Sequence, residues 1–293
     1  MCRTAKDTGM KYVMITTKHH DGFAMWDTKT TDFNVVKKTA FGKDPIKQLS
    51  EECAKVDVKL AFYFSIIDWT QHEAEPYSNT NPIAEEMMTS IIKPQIHELM
   101  TGYGPIAEFW FDMGGPTADQ SERMAKWVHE DQPNTMVNSR VWNDKGDFEV
   151  GGDNSVPTDM RMGPWESILS IFPACWSYCS DGCADRSEGN VFPKSRRLTD
   201  GLVTTISGGG QFDLNVGPKG DGSFDPFDQR VLDNIGAWMK RHPNAITGAR
   251  ATWFPIPSGA GSRRRGTPST CSRIRGTTVR SSTSRASARP SPG

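Results

Sequence analysis

Ala107-Glu108-Phe109-Trp110-Phe111-Asp112-Met113-Gly114-Gly115 is the stretch on which the reading of this chain turns. An apolar run of strand length stops at one carboxylate, and two glycines follow. Strands of a parallel sheet are covered on both faces and read as near-continuous apolar runs. The C-terminal end of such a strand is where β/α barrels place reactive groups, which makes Asp112 a candidate catalytic acid. The competing reading is an aspartate that caps the next helix.

Outward from this segment, apolar runs alternate with helical periodicity. Segments 12–17, 58–65, 106–111, 135–138 and 211–216 read as strands. Segments 45–56, 83–100 (broken near Pro94), 121–130, 198–206 and 227–239 read as helices. Ile46, Leu49 and Cys53 share one helical face, as do Val231, Ile235 and Trp238. This alternation predicts βα units around a parallel sheet. Polar residues follow one strand after another: His19 and His20, Asp68, Asp112, Arg140, Asn215. That pattern favours an α/β architecture of the (β/α)8 TIM type over an open doubly wound sheet, and no Gly-rich phosphate fingerprint follows the first strand.

The chain has 293 residues and a formal net charge of −1, with a mean hydropathy of −0.55. No segment approaches the roughly 18 apolar residues of a membrane span, and Met1 to Lys6 is polar with no apolar run behind it, so neither a membrane nor a secretory signal is indicated. Residues 258–293 hold eight arginines, no acid, no lysine and no aromatic residue, which leaves 26 basic against 35 acidic residues in the body. With almost nothing to bury, this tail is expected to be disordered, and its composition reads as an out-of-frame translation of a G/C-rich gene. A nucleic-acid partner is not expected. The six cysteines show no paired disulfide pattern; free thiols, with no leader in sight, favour the cytoplasm. Cys175, Cys179 and Cys183 form one cluster, but its spacing lacks the second, distant ligand pair of a structural zinc site, so no metal and no cofactor is expected.

The second informative block is Lys18-His19-His20-Asp21-Gly22-Phe23-Ala24-Met25-Trp26. His19, His20 and Asp21 could serve a metal-dependent hydrolase, but adjacent residues on extended chain point to opposite sides. Neutral imidazoles, each with one donor and one acceptor, equally suit sugar hydroxyls, with Trp26 as an apolar wall. Two structural histidines are the remaining reading.

KHHDGFAMW, YFSIIDW at 63–69, EFWFDMGG, VNSR at 137–140, PWESI at 164–168 and GGGQFDLNVGPKGDG at 208–222, in this order, resemble the glycoside hydrolase family 29 α-L-fucosidases, over residues 8 to 257. The 148–154 loop resembles the bacterial branch that acts on α-1,6-linked fucose. The resemblance implies a retaining hydrolase of terminal α-linked L-fucose, acting on fucosylated oligosaccharides or glycoconjugates. Asp112 falls on the family's nucleophile position, with Arg140 as a cationic neighbour. Asp153 is the first candidate for the acid/base, Glu166 the second, and Glu149 reads as a solvated loop charge. Trp165 and Trp176 would desolvate the acid. His19, His20, Trp26, Tyr63, Trp110, Arg140, Trp165 and Trp176 form the expected substrate-binding set, while Phe64 reads better as core.

The same resemblance implies departures. The chain starts within the helix that follows the family's first strand, so residues 1–250 are expected to form an incomplete barrel lacking that strand. Residues 251–257 resemble the approach to a lost C-terminal β-sandwich. A fragment of this kind is expected to be poorly stable or inactive, and a catalytically inactive carbohydrate-binding barrel is the alternative function. The oligomeric state stays open, a homo-oligomer included.

Overall fold

A computed structural model describes residues 1–71, 78–157, 161–180, 182–246, 260–263 and 270–273. Seven parallel strands follow one another in chain order: β1 (Tyr12–Lys18), β2 (Lys59–Ser65), β3 (Ile106–Asp112), β4 (Met136–Val137), β5 (Glu149–Val150), β6 (Trp165–Ser170) and β7 (Gln211–Asn215). They form a four-stranded sheet β1-β2-β3-β4 and a three-stranded sheet β5-β6-β7. A single parallel bridge, Asn138 to Phe148, joins the two. The fold is α/β with parallel sheets, and among the described residues no sheet closes into a barrel.

Helices flank or join the strands, except from β4 to β6: α1 (Cys2–Thr8), α2 (Val35–Lys38), α3 (Pro45–Lys55), α4 (Glu85–Met87), α5 (Lys93–Gly102), α6 (Ala118–Asp131), α7 (Val191–Ser207) and α8 (Pro226–Arg241). Their starts are written locally. Asp44 accepts from Lys47 N ahead of Pro45, and Asp225 accepts from Phe227 N ahead of Pro226. Thr117 and Gln120 make a capping box. The break expected near Pro94 is a π-helical segment, Met88–Ile92, directly before α5.

Two cores hold the layers together. One packs β1 to β4 on the α3, α5 and α6 side through Phe62, Phe64, Phe109, Phe111, Ile96 and Leu99. The other packs β6 and β7 on α7 and α8 through Leu169, Leu198, Val231 and Ile235. The helical layer meets across the open side of the sheets, because α1 packs on α8. There β1 and β7 are linked through side chains, with Gln211 Nε2 donating to Tyr12 Oη at 3.0 Å.

Two expectations are corrected. Cys2 and Cys53 pair as a disulfide between α1 and α3, as do Cys175 and Cys183 after β6; partners 51 residues apart are brought together only by the fold. β6 falls outside the segments that read as strands, because Glu166 interrupts its apolar run. Within the segment expected to be disordered, β8 (Ala260–Arg263) and β9 (Thr270–Arg273) pair antiparallel; the rest of that tail, and 251–257, lie outside the described residues.

Candidate active site

Asp112 is the last residue of β3, and its register partner on β2 is Ser65. Only 9 % of it is exposed. Two donors hold its carboxylate: Tyr63 Oη to Oδ2 at 2.7 Å and Arg140 Nη1 to Oδ1 at 3.0 Å. The chain then turns sharply, with Met113 at φ 65° and Gly114 at φ 82°. A non-glycine residue in the left-handed region directly after a buried acid is strain of the kind that collects at functional sites.

Arg140 lies in the short 3-10 turn that follows β4. Its guanidinium sits 4.7 Å from the Trp110 ring. Its second nitrogen, Nη2, donates to Asp153 Oδ1 at 2.5 Å. One planar fork therefore spans Asp112 and Asp153, which come from different segments of the chain. Asp153 stands in the 151–157 loop with its side chain half-exposed.

From Trp110 a row of rings runs along the cavity wall. Trp110 stacks on Tyr63 at 5.5 Å, Tyr63 on His19 at 5.7 Å, and His19 meets His20 at 3.7 Å between centroids. Desolvation lowers both imidazoles, His20 to about 4, with the neighbouring His19 adding to the effect there. Both are neutral at neutral pH. His20 Nδ1 lies 2.8 Å from Ser65 Oγ, and Ser65 Oγ donates to Ile67 O at 3.0 Å. The serine has one proton and a carbonyl can only accept, so His20 must donate from Nδ1. Its Nε2 is left as an acceptor suited to a hydroxyl.

A cavity of about 2000 Å³ opens in front of these groups and continues along the gap between β1 and β7. His19, His20, Tyr63, Trp110, Asp112, Arg140, Asp153 and Trp176 all border it. Trp176 is 40 % exposed, and its carbonyl accepts from Asn215 Nδ2 at 3.0 Å. Trp142 borders the cavity too. No residue pattern marks it in the sequence; its φ of 70° and its Nε1 bond to Met113 O fix it beside Asp112.

Three expected site residues lie elsewhere. Trp26 is buried and donates from Nε1 to Glu98 Oε2 at 2.9 Å, so it belongs to the packing against α5 and forms no wall to the cavity. Trp165 is buried at the start of β6, the opposite strand end from Asp112, and borders the cavity from there. Its indole fills the space left by Gly210, where a Cβ would come within 2.5 Å. Glu166 is fully buried near the start of β6, well below the mouth. Trp110 Nε1, Tyr12 Oη and Gln211 Nε2 all donate to it, at 3.0, 3.0 and 3.1 Å. Glu149 is exposed and paired with Arg161; Phe64 is core.

Beneath the mouth, Glu166 is grouped with Glu108 and Asp213. Burial raises all three, and mutual repulsion adds to the effect at Glu108 and Asp213, which is pushed up to about 8. Protons are therefore retained in this floor at neutral pH. His19, His20 and Asp21 do not form a metal-binding trio; among the described residues that geometry is found at Cys175, Cys179 and Cys183.

Residues 1–244 match the family model described as alpha-L-fucosidase. Plasma alpha-L-fucosidase of Homo sapiens is 25% identical over 253 residues, 82% of this chain and 52% of the relative. Tissue alpha-L-fucosidase of Mus musculus is 27% identical over 250 residues, 81% of this chain and 54% of the relative. The chain thus spans about half the length of these relatives. Among solved structures, the alpha-L-fucosidase of Vibrio sp. strain EJY3 superposes with a TM-score of 0.79 at 28% identity, covering 90% of this chain and 47% of that one. Alpha-L-fucosidase AlfC of Lactobacillus casei, in complex with its alpha-L-fucose product, gives 0.70 at 30% identity, covering 83% and 79%. A trapped covalent intermediate of the Bacteroides thetaiotaomicron enzyme with 2-fluoro-fucosyl fluoride gives 0.75 at 25% identity, covering 90% and 64%.

Proposed function

This chain belongs to the alpha-L-fucosidase family, and we propose that the mouth around Asp112 hydrolyses terminal α-linked L-fucose with retention of configuration. The observation that carries this reading is the placement of Asp112: the last residue of a parallel strand, facing a cavity, with each carboxylate oxygen held by a donor. A nucleophile so fixed is aimed before substrate arrives, and it loses little freedom on reaching the transition state.

In the first step an Asp112 oxygen bonds to the anomeric carbon as the glycosidic C–O bond breaks. Asp153 gives its proton to the leaving oxygen. In the second step the Asp153 carboxylate takes a proton from water, the water oxygen bonds to the anomeric carbon, and the Asp112 ester bond breaks. For the first step Asp153 must leave the Arg140 fork; its place on an exposed loop supports that movement. As Asp112 is neutralised by ester formation, the donor on the oxygen that does not bond to the sugar, Arg140 on Oδ1 or Tyr63 on Oδ2, remains to hold the ester carbonyl. His20 Nε2 accepts from a sugar hydroxyl, while the Tyr63–Trp110 row and Trp176 meet the apolar face and methyl group of the deoxy sugar.

Two finer readings accompany this one. The two sheets are read as the arc of an incomplete (β/α)8 barrel. The 148–154 loop, by its resemblance, points to α-1,6-linked fucose.

The test is turnover of a chromogenic α-L-fucoside, abolished by Asp112→Asn, and of α-1,6- against α-1,3-linked disaccharides. Turnover surviving in Asp112→Asn overturns the assignment of the nucleophile.

A further inference from the structure

The loop between β6 and α7 carries Cys175, Cys179 and Cys183. Cys175 is buried and the other two are half-buried. Their three sulfur atoms lie within 4.8 Å of one another. Cys175 and Cys183 can form a disulfide across a Cα–Cα distance of 6.1 Å. A disulfide uses two of these sulfurs, and the Cys179 sulfur lies within the same 4.8 Å.

We propose that, in the reduced chain, Cys175, Cys179 and Cys183 bind one Zn²⁺ through three thiolates, with water in the fourth position. Zinc–sulfur bonds of about 2.3 Å place the sulfurs of a tetrahedral site roughly 3.8 Å apart, which the observed cluster accommodates. An all-sulfur donor set selects a soft or borderline ion and disfavours Mg²⁺ and Ca²⁺, which take oxygen ligands. The loop is already held for the purpose. Arg186 Nη1 donates to the Cys179 carbonyl, and its guanidinium lies 4.8 Å from the Tyr178 ring. Gly217 lets the end of β7 press on the same loop, since a Cβ there would come within 2.3 Å of Tyr178 N.

The disulfide and the zinc site exclude each other. A dithiol reductant gives two electrons and two protons to the Cys175–Cys183 bond and becomes a disulfide itself. Zinc then displaces a proton from each thiol it binds. Trp176 lies between two of the ligands and borders the cavity, so the ion would fix the rim of the mouth while taking no part in the chemistry.

The test uses the full chain reduced with a phosphine, which leaves zinc free to bind. After incubation with Zn²⁺ and desalting, one zinc per chain is expected, and Co²⁺ in its place gives thiolate charge-transfer absorption. Cys179→Ser is expected to weaken binding by more than the roughly 10–100-fold that outer-shell changes cost; Cys271→Ser leaves it unchanged. In the unaltered chain zinc is expected to protect these three cysteines from alkylation, a readout that does not depend on how a variant folds. Absence of retained zinc, alkylation unaffected by zinc, or full binding in a folded Cys179→Ser overturns the proposal. None of these readouts depends on fucoside turnover, so the zinc site and the active-site assignment fail separately.

Discussion

Arg140 Nη1 donates to Asp112 Oδ1 over 3.0 Å, tying the end of β3 to the turn that follows β4. The same guanidinium reaches Asp153 through its other terminal nitrogen. The candidate nucleophile and the candidate acid/base are thus positioned by one side chain, itself 4.7 Å from the Trp110 ring.

Lysine cannot reproduce that fork, since an ammonium is a point charge without planar, paired donors. Arg140→Lys is therefore expected to lower kcat by roughly tenfold to a hundredfold, the worth of one hydrogen bond to a charged group at about 1.5–3 kcal/mol. Steady-state kinetics, paired with an unchanged melting curve, checks it. Wild-type kcat in the lysine variant would show that the fork is dispensable.

Ser65 never touches the cavity, yet it sets which nitrogen of His20 carries the proton. In Ser65→Ala the imidazole is free to present either nitrogen. KM is expected to rise several-fold with kcat little changed, and ¹⁵N NMR of His20 should show a tautomer mixture. Ser65→Thr, which keeps the hydroxyl, should restore the Nδ1–H form. An unaltered tautomer in the alanine variant would contradict the role.

Asp213 has its carboxyl pushed up to about 8 from an ordinary value of 3.8. The folded state therefore holds this proton more tightly than the unfolded state, and stability falls as pH rises from about 4 to about 8. The contribution is complete below the unfolded value and lost above the folded one. Asp213→Asn should remove that part of the slope, melt higher than wild type at pH 8 and be more stable there by at least about 1 kcal/mol, the worth of one pKa unit. Parallel melting-versus-pH curves for the two chains would contradict this.

Gly22 has φ 80°, and a Cβ there would come within 2.2 Å of Asp68 Oδ1. Gly22→Ala carries both the backbone strain and the displacement of a buried carboxylate, so a loss of roughly 1–3 kcal/mol is expected. Denaturant titration checks it, and an unchanged midpoint would contradict it.

The parts of this molecule legible in sequence were those whose cause is local. β2 and β3 are apolar because both faces are covered, and Asp112 is conspicuous as the charge that ends the run. Trp26 misled because it follows the two histidines, while its partner Glu98 stands 72 residues on. Glu166 is an acid beside a tryptophan in sequence, but its three donors come from β1, β3 and β7. Ser65 is a small hydroxyl at the end of a mostly apolar strand, and only its register with Asp112 marks it. Trp142 declares itself by a backbone angle, which no residue pattern announces.

The most direct test of the central claim is to react the chain with 2-fluoro-fucosyl fluoride and map the modification by peptide mass spectrometry. A fucosyl ester on Asp112, absent in Asp112→Asn, is the predicted result. A label on any other residue, or turnover of fucosides with no ester formed at Asp112, would contradict it.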